Sequence, residues 1–191
     1  IMAYAQAKTL DQNIIPVIDI SPLRDGTNPK AVARELHAAS QGLGFIYIKG
    51  HGIPEAVIKS ARANALEFFA LPEATKSAVK VSEKHRGWLG QGGAKMKDGA
   101  KADLKESFIW GHQDADGKTL EDHPLRGANQ WPDHLPAMQA QAMAYFNHAH
   151  DVAHHLMRGF ALGLDLEPDF FLKSASRPMS RASYVYYPAQ P

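Results

Sequence analysis

Residues 43–54 read Leu-Gly-Phe-Ile-Tyr-Ile-Lys-Gly-His-Gly-Ile-Pro, and this stretch decides the architecture. Phe45, Ile46, Tyr47 and Ile48 are β-branched or aromatic, which predicts a strand over 45–49 covered on both faces. Gly50-His51-Gly52 reads as a turn, and Pro54 opens a helix. Upstream, Ile-Ile-Pro-Val-Ile-Asp-Ile at 14–20 predicts a strand, with Pro16 placing it at an edge or a strand start. Asn28 followed by Pro29 is a helix-start signature. Val32, Leu36, Ala39 and Leu43 then recur at helical spacing, and Gly42 or Gly44 ends the helix.

Downstream, the helix from Pro54 lines one face with Ile58, Ala61, Ala65 and Phe68 or Phe69, and stops at Pro72. Residues 82–103 are rich in Gly and Lys, with apolar anchors only at Trp88, Leu89 and Met96. Their composition predicts a long mobile loop, placed to act as a lid. A strand is expected over 107–110 and a proline-punctuated loop over 112–136. The longest helix is expected over about 137–164, with Met138, Ala142, Tyr145, Ala149, Val152, Leu156 and Phe160 on its apolar face. Pro168, Phe170, Phe171 and Leu172 suggest a short helical turn. Residues 182–187 alternate and predict a final strand, closed by Pro188.

Composition limits the function classes. Of 191 residues, 45% are apolar and 21% charged, which excludes disorder as the main state. The 21 basic and 20 acidic side chains leave a net charge of +1, so no basic stripe points to nucleic acid. No apolar run is long enough to span a membrane. The chain has no cysteine, which removes disulfides, zinc–thiolate sites and a thiol nucleophile and fits a reducing, cytoplasmic compartment. The first residues lack a basic and then apolar leader pattern, so no secretory signal is expected.

The ten histidines are the one compositional excess. His150 and His154 have the H-x-x-x-H spacing of a helical metal site. At about 100° per residue, however, they lie roughly 110° and 150° from the centre of the apolar stripe. Both are therefore expected in solvent. Gly87, Gly90, Gly92 and Gly93 near Lys95 and Lys97 lack phosphate-loop spacing. No G-x-S-x-G elbow and no G-x-G-x-x-G fingerprint occurs. Arg86-Gly87-Trp88 admits two readings: a cation and ring that hold a carboxylate-bearing ligand, or an Arg packed on Trp88 or paired with a surface acid. On the last strand, Tyr187 shares a face with Val185 and Ser183, opposite Tyr184 and Tyr186. One face is core, and the other is free to line a pocket or to be structural.

The order of motifs is more specific than any one of them. I-P-V-I-D-I-S (15–21) is followed by L-G-F-I-Y-I-K-G-H-G-I-P and F-F-A-L-P-E-A-T-K (68–76). After these come H-R-G-W (85–88), K-E-S-F (105–108), Q-W-P-D (130–133) and Y-Y-P (186–188). This series resembles the N-terminal part of the isopenicillin N synthase-like family of non-haem iron oxygenases, over residues 15–188. That family includes many 2-oxoglutarate-dependent dioxygenases and 1-aminocyclopropane-1-carboxylate oxidase.

The resemblance implies an α+β fold, with an N-terminal α/β region leading into a double-stranded β-helix, or jelly roll, of which only the beginning is present. The expected division is 1–181 for the N-terminal region, braced by the long helix, and 182–191 for the first part of the jelly roll. It also implies Fe(II), 2-oxoglutarate as cosubstrate and O2, acting on a small-molecule substrate and releasing succinate and CO2. Iron in this family is held by two His and one carboxylate. The one His-x-Asp, His112-Gln113-Asp114, falls on a loop before the long helix, the wrong place for the family's motif, so the metal triad is expected after Pro191 and no metal ligand or catalytic residue is assigned to this chain. By the same resemblance Tyr187 contacts 2-oxoglutarate or substrate, and Arg86 and Trp88 contact substrate. Val185 stands where some relatives have Asn. His51, Glu106 and Phe108 are expected to be structural. Two alternatives remain open: an oxoglutarate-independent oxidase of the same fold, and a non-catalytic fragment lacking the metal site.

Overall fold

In the computed structural model, which describes residues 15–93, 103–114 and 122–189, the first β-branched run forms strand β1 (Val17–Asp19). Helices α1 (Ser21–Arg24) and α2 (Pro29–Gln41) follow. The Asn28 side chain accepts from the Ala31 amide and Pro29 occupies the first turn, so α2 starts where its capping residues place it. Strand β2 (Tyr47–Lys49) then pairs in parallel with β1, Val17 opposite Tyr47 and Asp19 opposite Lys49.

The chain divides into two compact units. One takes the described residues of Ile1–Gly52 with Asp151–Ser176, and the other those of Ile53–His150 with Arg177–Pro191. In the first, Ile18, Ile20, Leu23, Val32, Ala33 and Leu36 are buried. The expectation of a strand covered on both faces is corrected here. Tyr47 is 59% exposed and Phe45 69%, because β2 has only β1 beside it among the described residues.

The junction of β1 and β2 explains the Gly-His-Gly spelling. Asp19 Oδ1 accepts from the Ser21 amide at 2.9 Å and its hydroxyl at 2.7 Å, while the Ile20 amide donates to the Lys49 carbonyl at 3.0 Å. Arg24 Nη1 donates to the Gly50 carbonyl at 3.0 Å. Gly50 has φ +67°, and a Cβ there would run into the Asp19 carboxylate. Only glycine satisfies both conditions without strain.

The second unit begins with α3 (Glu55–Ala70) and α4 (Glu73–Lys76), the latter leading into a 3₁₀ turn at Ser77–Val79. Strands β3 (Gly87–Leu89), β4 (Glu106–Gly111) and β5 (Arg181–Tyr186) form an antiparallel sheet in that order. Strand β3 corrects part of the expected 82–103 loop. Val81 donates to the Trp88 carbonyl at 2.7 Å and Ser82 to the Arg86 carbonyl at 2.8 Å, which closes a tight turn before the strand. Residues 94–102 lie outside the described residues, so the expected lid is only partly visible.

The long helix α5 (Met138–Gly163) has residues 138–150 in the second unit and 151–163 in the first. Among the described residues no helix is long and apolar enough to cross a membrane.

The core of the second unit lies on one face of the antiparallel sheet. Phe68, Phe69, Val79, Trp88, Phe108, Trp110, Met138, Ala142 and Phe146 are buried together. Tyr184 and Tyr186 pack against them, at 4.4 Å from Trp110 and 5.1 Å from Phe69 by ring centroid. Period two along β4 and β5 sends Ser107, Ile109 and Gly111, with Arg181, Ser183 and Val185, to the opposite face.

Candidate functional site

That opposite face is the candidate site, because among the described residues no buried hydrophobic cluster packs on its β5 side. Val185 is 48% exposed and Tyr187, just past β5, 68%. The expected alternation of the three tyrosines holds. Tyr184 lies inward, where burial pushes its phenol up to about 12, while Tyr187 lies outward. Lys105 lies near the Tyr187 phenol and makes a 2.7 Å ion pair with Asp103, whose hydrogen bond raises the Lys105 ammonium above its ordinary value.

Arg86 enters the same face from the turn before β3. Its side chain is buried, at 1% exposure. Nη1 donates to the Lys84 and His85 carbonyls at 3.2 and 3.1 Å, and Nη2 to the Leu125 carbonyl at 3.1 Å. Nε has no hydrogen-bond partner among the described residues. The guanidinium sits over Gly111, where any Cβ would overlap it. Burial first, and then the positive charge of Arg181, push its pKa down. It is neither stacked on Trp88 nor paired with an acid among the described residues.

Trp88 lies on the other side of the sheet. It is 5% exposed, and its Nε1 donates to Glu106 Oε2 at 2.8 Å. The same carboxylate oxygen takes Lys76 Nζ at 2.6 Å, and Lys76 also donates to the Phe69 carbonyl at 3.2 Å. The Lys76 ammonium lies 5.3 Å from the Trp88 ring centroid. The structure therefore brings Arg86 and Tyr187 to one face and places Trp88 in the core.

His150 departs from expectation. It is half-buried, shares a 3.1 Å hydrogen bond with Ser180 Oγ, and stacks on Phe146 at 5.8 Å. The helical wheel missed this because the segment leading into β5 covers that side of α5. His154 is likewise only half-exposed. Among the described residues, no three or more His, Asp or Glu side chains come together to hold a metal ion. The described side chains thus do not fit an iron site.

A polar clamp that the sequence did not reveal fixes the approach to β5. The Asp122 carboxylate accepts from both Arg126 and Arg177, and Arg126 Nη2 donates to the Arg177 carbonyl at 2.8 Å. The Arg126 hydrogen bond, more than the charge of Arg177, holds the Asp122 carboxyl below the usual carboxylate range. Its folded pKa is thus lower than its unfolded one. The clamp stabilises fully above the ordinary carboxylate range and is lost as pH falls through the lowered value. Thermal melts between about pH 6 and pH 3 should show a smaller fall for D122N than for the wild type. Equal falls would show that the clamp does not couple to folding.

Comparison with known proteins follows the same outline. A family profile described as the N-terminal region of non-haem dioxygenases in morphine synthesis matches residues 15–134. A validamycin A dioxygenase of Streptomyces hygroscopicus subsp. limoneus is 30% identical over 182 residues, covering 92% of this chain and 50% of the relative. An isopenicillin N synthase of Flavobacterium sp. is 30% identical over 181 residues, covering 91% and 56%. A crystal structure of a 2OG-Fe(II) oxygenase family protein from Caulobacter crescentus superposes with a TM-score of 0.81 at 26% identity, covering 93% of this chain and 57% of that one. The chain spans about half the length of the curated relatives it matches.

Proposed function

The chain belongs to the family of non-haem dioxygenase N-terminal regions, and from that premise we propose that the intact protein is an Fe(II)/2-oxoglutarate-dependent oxygenase. It oxidises a small-molecule substrate with O2 and releases succinate and CO2. The observation that carries this reading is the family match over residues 15–134, together with a structural likeness that covers 93% of the chain. In this reading β5 is the first strand of the jelly roll, and further strands cover the open face of Val185 and Tyr187. Tyr187 offers its phenol to 2-oxoglutarate or substrate from that face. In this reading iron and oxygen chemistry belongs to residues outside those described.

Of the two substrate residues expected beside it, Arg86 shares the open face and Trp88 does not. Arg86 serves a carboxylate through its charge, because both of its terminal nitrogens already donate to backbone carbonyls. Absence of cysteine agrees with a cytoplasmic site of action.

The test is turnover by the intact protein supplied with Fe(II) and 2-oxoglutarate. Slow succinate formation without substrate, accelerated by the true substrate, is the expected result. Neither succinate nor metal binding under any condition would sink the proposal. The 30% identity to an isopenicillin N synthase keeps an oxoglutarate-independent oxidase as a second reading. Oxygen uptake with no loss of 2-oxoglutarate would select it.

A further inference from the structure

The open face of the antiparallel sheet is electrically asymmetric. At one end, Gly111 of β4 stands opposite Arg181 of β5 in the strand register. Gly111 has no side chain, and the guanidinium of Arg86 fills the space above it. Two arginines thus share one corner. The charge of Arg181 is felt at Arg86, so the two groups are close enough to repel. Neither makes an ion pair with an acid among the described residues. The acid of the neighbouring clamp in sequence, Asp122, is already shared between Arg126 and Arg177.

Burying a guanidinium with no counter-charge is costly, and the cost falls when an anion enters its field. Arg86 itself has little to offer, since three carbonyls occupy its terminal nitrogens. Arg181 is exposed, and among the described residues no side-chain hydrogen bond or ion pair occupies its donors. From this corner the face continues over Ser183 to Val185, which is apolar and 48% exposed, and beyond it to Tyr187. Four residue steps along the strand lead from Arg181 to Val185, about 13 Å of backbone at ~3.3 Å each.

The geometry points to Arg181 as a specificity-determining residue that receives the anionic group of an amphipathic acid, with Arg86 as its buried electrostatic support and Val185 under the apolar body. The substrate class is then a small organic acid with its carboxylate at one end and its oxidised part at the other. This rests on the oxygenase reading for its meaning as substrate recognition, although the anion site itself can be tested without turnover.

The experiment is calorimetric titration of the intact protein, kept saturated with 2-oxoglutarate so that the cosubstrate's own carboxylate site is filled. The probes are 4-phenylbutyrate and its uncharged analogue 4-phenylbutyramide. The acid should bind about tenfold or more tightly than the amide, as a charge-assisted contact implies, and should weaken with added salt. R181Q should bring the acid down to the affinity of the amide, and R181K should recover much of the difference. Arg181 is exposed, so R181Q should melt as the wild type does, which separates a lost contact from a lost fold. Equal affinity for acid and amide, no binding of the acid up to millimolar concentration, or an R181Q variant that binds the acid like the wild type would each overturn the assignment. Succinate release, measured in parallel, reports separately on the oxygenase reading. Lost turnover with intact acid discrimination would count against that reading alone.

Discussion

E106A should lower the unfolding free energy by about 3–5 kcal/mol, one of the largest losses expected from a single polar side chain in this protein. Glu106 and Lys76 have side chains only 10% and 6% exposed, and their oxygen and nitrogen lie 2.6 Å apart. Removing the carboxylate leaves the Lys76 ammonium with the Phe69 carbonyl and the Trp88 ring, and it also strips Trp88 Nε1 of its acceptor. A buried charge without its partner is penalised far more than the pair is rewarded. The double variant K76M/E106L should therefore lose less than E106A alone, since it buries no orphan charge. Urea unfolding of the three proteins measures the difference. An E106A loss below about 1 kcal/mol would place the pair with ordinary surface ion pairs and refute its role.

That network also shows what the sequence did and did not disclose. Lys76, Trp88 and Glu106 belong to three of the motifs that suggest the family, F-F-A-L-P-E-A-T-K, H-R-G-W and K-E-S-F. They converge on one buried contact. That contact is structural, in line with the expectation for Glu106, whereas for Trp88 the expectation is a ligand contact. Spacing along the chain could not reveal the convergence, because Lys76 and Glu106 are 30 residues apart. The helices were legible from local signals, such as Asn28 before Pro29, and so was the alternation of Tyr184, Tyr186 and Tyr187.

Three features were not legible. Strand β3 was hidden because its three residues gain their strand character from β4, and the glycine-rich surroundings outweighed them. His150 was read as solvated because a helical wheel sees only its own helix, not the segment that packs on it. The pairing of Arg86 with Arg181 depends on the register of β4 against β5 and on an absent side chain at Gly111, neither of which a single sequence displays.

The second large effect is expected at Phe108, the centre of β4. It is fully buried, with its ring 4.7 Å from Phe68, 5.7 Å from Trp131 and 6.1 Å from Trp110. Strands flank β4 on both sides, so the backbone cannot move in to fill a cavity. Phe108→Ala should then cost about 3–5 kcal/mol, near the upper end for an aromatic truncation, and Phe108→Leu distinctly less. Unfolding in denaturant, with the slope unchanged, is the measurement. The contrast with R181Q is the sharper test, because both residues belong to the same sheet. Phe108 holds the core face, and its loss should lower stability directly. Arg181 lies on the open face, and its loss should leave stability alone while abolishing the preference for an acid over its amide. If R181Q destabilised the protein as Phe108→Ala does, the open face would be a packing surface and not a binding one.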